Sequence, residues 1–186
     1  MLMDITLIIV GMLIITFSAL EGFARALMQL IIFYVITLIL GMVLISVTIT
    51  QDLAQRIATI AGGMPNQTLF TALFFLALLI PSTLGIFLLT HATLENMKFN
   101  KLEWLDTVLA VLVGFIFALV FMSLLSNTWG LIVSTVWSPQ NAWMTFRTAY
   151  ASSAMRVFLQ RVFAVYRGFL FPFRMTRYPL VYTVIP

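Results

Sequence analysis

Cysteine is absent from this chain, so disulfides, thiolate nucleophiles and cysteine-based metal sites are excluded. Charge is nearly as scarce, with ten basic and six acidic residues among 186 and a single histidine. So few charges cannot cover the surface of a 21.0 kDa globule, and the uncovered apolar area would aggregate or seek lipid. What is abundant instead is apolar: 62% of residues are hydrophobic and the mean hydropathy is +1.11, far above the range of soluble domains. The expected fold class is an all-α integral membrane protein, a bundle of four transmembrane helices with a basic, partly amphipathic C-terminal tail.

Three long runs contain no Asp, Glu, Lys or Arg: residues 26–51, 57–94 and 107–146. A span needs about 20 apolar residues to cross roughly 30 Å of hydrocarbon. These runs hold predicted spans at about 26–50, 68–90 and 107–126. A shorter run at 5–20 makes the first span, and residues 21–25 are read as a tight break after it. A cleaved signal peptide fits this run poorly, since Asp4 and no Lys or Arg precede it. One helix over 4–50 would bury Glu21 and Arg25 at about 2.5 to 3.5 kcal/mol each, a cost that a hairpin avoids. Gly62, Gly63, Pro65 and Asn66 mark a surface loop, Pro81 interrupts the third span, and 91–106 is the most charged loop. Residues 131–137 either extend span four or form a re-entrant piece. The transmembrane domain is thus predicted as 1–137 and the cytoplasmic or interfacial tail as 138–186.

The net charge of +4 reports topology, because the basic groups flank the spans; nucleic acid is not an expected partner. With four spans both termini share a side. That side collects Arg56, Arg147, Arg156, Arg161, Arg167, Arg174 and Arg177, against Arg25, Lys98 and Lys101 opposite. The positive-inside tendency then predicts both termini in the cytoplasm and the protein in the cell membrane.

From Thr107 to the end there is no acidic residue, while the tail carries six arginines and many aromatics. If residues 141–168 are helical, Ser152, Ser153, Arg156, Gln160 and Arg167 share one arc, with Arg147 and Arg161 away from it. Such a tail suits anionic lipid headgroups or other membrane subunits. Pro172, Pro179 and Pro186 predict an extended end.

Small residues recur every fourth position at Ser18, Gly22 and Ala26, and at Ala110, Gly114 and Ala118. Rows of this kind let helix backbones approach closely. His91 is a candidate axial ligand for a haem or chlorophyll-type pigment, weighed against a solvated interfacial histidine; no other cofactor is expected. No cluster of His, Asp or Glu in the sequence suggests a metal cage, and the acids fall near predicted span ends, which argues against coupled transport. Glu21 and Arg25 are placed to pair across the break. The lone histidine has no evident triad partners, so an enzyme is not expected.

Asp4 with a short first span, then Gly22, Phe23 and Arg25, then Leu105 and Asp106 leading to Gly114, form an order of features that resembles the colicin V production protein family. The likeness covers roughly residues 1–125. Ala26, Gln29, Ala110 and Phe117 depart from it, standing where glycine, an acid, glycine and a basic residue are usual. The resemblance implies four spans and a role in envelope maintenance or export. The residues themselves suggest a non-catalytic accessory or scaffold subunit of a membrane complex, an energy-transducing one included. A small transporter or channel is the third expectation.

Overall fold

The computed structural model describes residues 2–45, 52, 55–56, 67–93, 103–170, 173 and 178–183. Four long helices dominate: α1 Leu2–Glu21, α2 Phe23–Ile45, α3 Gln67–Thr93 and α4 Glu103–Ser134. An unpaired backbone group in hydrocarbon costs several kcal/mol, and a helix pairs nearly all of them within the segment. All four helices are long and apolar enough to cross a membrane. Several hydroxyls inside them are satisfied by their own turns, as where Thr71, Thr83 and Thr128 donate to the carbonyls of Gln67, Leu79 and Leu124. α3 runs unbroken through Pro81.

The break after the first span is one residue wide, not the five of 21–25. Gly22 has φ 89°, a left-handed conformation that a side chain would strain, and α2 begins at the next residue. The N–H of Phe23 leaves the helical ladder for Asp106 Oδ1 at 3.2 Å, so the acid caps α2 while tying it to α4. At the other end of α4 the helix continues through residues 131–134, so Asn127 to Gly130 lie within it. Their polar groups are accommodated there because Asn127 bonds to the folded-back tail and Thr128 to Leu124.

α4 is the central helix, packed on α1, α2 and α3. Half of its most apolar window is buried, against 28 to 33% for the others. The outward residues of α1, such as Ile5, Ile9, Met12 and Leu20, form an apolar stripe that lipid would cover. Phe33 lies tilted against Phe117 and Phe121 with ring centroids 4.8 and 5.8 Å away, and Phe87 stacks on Phe117 at 5.7 Å. These rings form a dry layer across the middle of the bundle.

The tail folds as α5 Gln140–Ala151 and α6 Arg156–Phe169, not as one helix over 141–168. The interruption has a specific cause at Asp4, whose Oδ1 accepts from Ser153 Oγ at 2.6 Å and from the Met155 N–H at 3.3 Å. α6 presents Leu159, Phe163 and Tyr166 to the bundle and packs on α4. The described part of the expected extended end holds a 3-10 turn, Leu180–Tyr182, started by the fixed φ of Pro179, with Val181 and Tyr182 buried. Tyr182 is fully buried beside Phe75 and Phe173.

These contacts give the bundle two ends. Asp4, Thr37, Phe75 and Asn127 meet the tail at one, so α1 and α3 start there while α2 and α4 return to it. Glu21, Gly22, Thr90 and Asp106 gather at the other.

Candidate functional site

The end remote from the tail holds a buried polar junction made by three helices. α1 delivers Ser18 and Glu21, α2 delivers Gln29, and α3 delivers Thr90 and His91. Ser18 and Gln29 have no exposed surface, Thr90 has 2% and Glu21 has 9%. Gln29 Nε2 donates to the Glu21 carboxylate and, at 2.9 Å, to Thr90 Oγ1. Thr90 in turn donates to the Ile86 carbonyl at 2.8 Å, leaving its oxygen lone pairs facing the cluster. His91 Nδ1 lies 3.7 Å from Glu21 Oε1 on an exposed rim. Glu21 turns inward to Gln29, with His91 beside it at the rim. The oxygens Ser18 Oγ and Gln29 Oε1 are buried without a hydrogen-bond partner. Phe17 and Phe87, 5.8 Å apart, lie within one helical turn of Ser18 and Thr90, and Phe33, one turn from Gln29, pairs with Phe117.

The tail end is a second polar network. Asn127 Nδ2 donates to the carbonyls of Val181 and Thr183, both at 2.9 Å, and the Tyr182 hydroxyl donates to Thr37 O. The hydroxyls of Thr37 and Tyr166 bond each other. Around this plug, Trp129, Trp137 and Trp143 donate to the carbonyls of Phe146, Ile132 and Val133. Burial pushes the Tyr150 phenol above its ordinary range, partly offset by the Gln160 hydrogen bond and the Arg156 charge. Burial likewise raises Tyr166, against the opposing hydrogen bond from Thr37.

The small-residue rows meet on α4. A Cβ at Gly114 would lie 2.6 Å from Ser18 Cβ, and Ala26 is buried against Ala110. Ala118 is buried in the main core, and a Cβ at Gly22 would reach Asp106 Oδ2 at 2.6 Å. The tail arginines are dispersed. Arg147 lies over Trp143 at 4.9 Å, Arg156 over Tyr150 at 5.2 Å and Arg167 over Tyr178 at 4.2 Å, while Arg161 is exposed. Arg174 and Arg177, like Lys98 and Lys101, lie outside the described residues. His91 sits at the junction rim with its side chain 75% exposed.

Sequence reasoning missed the roles of Gln29, Thr90, Thr37 and Asn127. The available signal was an amide or hydroxyl inside an otherwise apolar run, which in a bilayer faces the protein interior. Hydropathy does not say which partner it meets. No protein-family model, curated protein or solved structure matches the chain. By its own composition and helices, it is a multi-span membrane protein.

Proposed function

We propose that the chain is a non-catalytic accessory or scaffold subunit of a larger membrane assembly. The supporting observation is the use made of three of its six acids, each of which fastens one segment to another. Asp4 joins α1 to the start of α6, Asp106 joins α4 to the start of α2, and Glu21 joins α1 to α2. Side chains committed in this way serve rigidity more directly than turnover. On this reading the basic tail meets anionic headgroups on the cytoplasmic side, the side that the positive-inside tendency favours for both termini. Purification in mild detergent followed by native mass measurement tests the reading. Other membrane subunits in fixed stoichiometry are expected, and a lone monomer or homo-oligomer would refute it. Protease applied outside intact cells should leave the arginine-bearing tail uncut.

A second reading, a self-sufficient inner-membrane protein of the colicin V production type, draws on a specific convergence. Gly22, Phe23 and Asp106, which carry that resemblance, meet at one junction, and Gly114 packs on Ser18. A homo-oligomer in the same mass measurement, with an envelope defect on gene loss, favours this reading over the first.

A further inference from the structure

We propose that α6 is a re-entrant half-helix, dipping from the tail-end surface to the middle of the bilayer with its outward face against anionic phospholipid. This goes beyond the scaffold reading and does not depend on it. Depth is read from what each turn of α6 touches. Its start is level with the first turn of α1, where Asp4 accepts from the Ser153 hydroxyl and the Met155 N–H. One turn on, Gln160 donates to the Tyr150 hydroxyl, which stands 2.7 Å from where a Cβ on Gly130 would be, near the end of α4. Tyr166 then bonds the Thr37 hydroxyl, and the Phe169 carbonyl accepts from the Tyr34 hydroxyl at 2.7 Å. Tyr34 is the middle residue of α2, about 16 Å along the axis from either end. α6 has 14 residues and rises about 21 Å, enough to reach the middle of a hydrocarbon core of roughly 30 Å and too little to span it. A helix that stops inside hydrocarbon is tolerated only where the protein supplies partners for its free backbone groups. The Tyr34 hydroxyl is that partner for Phe169, and the Leu170 and Phe173 N–H groups turn back to Arg167 and Leu170.

The two faces of α6 agree with that depth. Leu159, Phe163 and Tyr166 turn to the bundle, yet the opposite arc carries Val157, Phe158, Val165 and Phe169, each at least half exposed. A helix lying on the surface would turn this arc to water, whereas at hydrocarbon depth it meets acyl chains. Arg161 is the one charge on the arc, about 8 Å along the axis from the start of the helix. Helix side chains lean toward the N-terminus, which here is the surface, so the guanidinium rises to the level of the phosphates while its stem stays in hydrocarbon. No acid occurs from Thr107 to the end, so the charge of this region complements a phosphodiester anion.

The test exploits the absence of cysteine, since a single introduced thiol takes a nitroxide label at one position. Phe158→Cys and Val165→Cys are labelled in the full chain and reconstituted in phosphatidylcholine vesicles containing phosphatidylglycerol. Ile9→Cys, on the apolar stripe of α1, and Ser152→Cys, in the exposed link before α6, serve as lipid and water references. Collisions with oxygen, which concentrates in hydrocarbon, and with a water-soluble nickel chelate report depth. Val165 should favour oxygen as Ile9 does and sit about 5 to 10 Å deeper than Phe158, while Ser152 favours nickel. Equal depth at the two α6 positions marks a surface-lying helix and overturns the proposal. So does nickel access at Val165, or shielding there from both probes, the sign of a protein cover in place of lipid. Should Val165→Cys fail to fold, Gly168→Cys, whose added Cβ meets nothing within 4 Å, gives the same measurement. Arg161→Gln should lower the preference for phosphatidylglycerol over phosphatidylcholine about fivefold in native mass measurement, and an unchanged preference overturns the headgroup contact.

Discussion

Gly41 faces the tail plug, and replacing it with alanine gives the clearest quantitative test of how that plug is held. A Cβ there would lie 2.5 Å from Tyr182 Cε2 and 2.6 Å from Phe173 Cζ. Both rings are buried to within 1% of full, so neither pivots away without the backbone behind it moving. Overpacking of this kind costs about 1 to 3 kcal/mol, while alanine returns up to about 1 kcal/mol through helix propensity. Three ring atoms within 2.9 Å put the cost at about 2 to 3 kcal/mol, so the net penalty, about 1 to 2 kcal/mol, falls on the element that yields most easily. That element is the turn at 178–183, anchored by Asn127 and Thr37, since α2 is continuous helix. The open population should then rise roughly 5- to 30-fold. Hydrogen exchange at the Tyr182 and Thr183 amides reports it, because both donate within the turn and exchange follows the open fraction when reclosing is fast. Gly85→Ala is the internal control, since nothing lies within 4 Å of its added Cβ. These amides should exchange roughly 5- to 30-fold faster than wild type in Gly41→Ala and no faster in Gly85→Ala. Equal rates for the two variants would show that the plug does not rest on Gly41.

Gly114→Ala places a Cβ 2.6 Å from Ser18 Cβ and 3.4 Å from Ile15 Cα, so α1 must move off α4; Tm should fall by roughly 3 to 10 °C in thermal unfolding. Asp106→Ala removes the cap on α2 and should cost about 1 kcal/mol by the same assay, whereas Asp106→Asn retains an accepting oxygen and should cost less. Gly22→Ala adds about 1 to 2 kcal/mol of left-handed strain to a clash with the Asp106 carboxylate, so its Tm loss should exceed that of Asp106→Ala. Tyr150 ionises above its ordinary value of 10.0 because burial disfavours the phenolate. Its folded-state pKa is the raised one, so its stabilising contribution is intact below pH 10 and is lost as pH climbs through the folded value. Phenolate absorbance should show a late-titrating tyrosine that Tyr150→Phe removes.

Much of the architecture could be read along the chain. Uncharged runs longer than the bilayer is thick require helices, and that condition is local to each run. Small residues four apart could be identified as packing rows for the same reason, since a helix repeats its face at that spacing. Which row met which was settled by the tertiary fold: Ser18 against Gly114, and Ala26 against Ala110.

The tail shows where local reasoning stops. Its arginines and aromatics suggested a surface for other molecules, yet Phe173 and Tyr182 are folded into the chain's own bundle. Nothing near Tyr182 in sequence announces Thr37, Phe75 or the Asn127 that holds its neighbour Val181, because these pairs are 145, about 107 and 54 residues apart and come together only when the helices pack. The polar junction is of the same kind. Composition alone determined that this chain dissolves in a membrane, since hydropathy adds up residue by residue. Only the three-dimensional arrangement decided that Glu21, Gln29 and Thr90 share one buried site, since a hydrogen bond depends on distance and direction between helices.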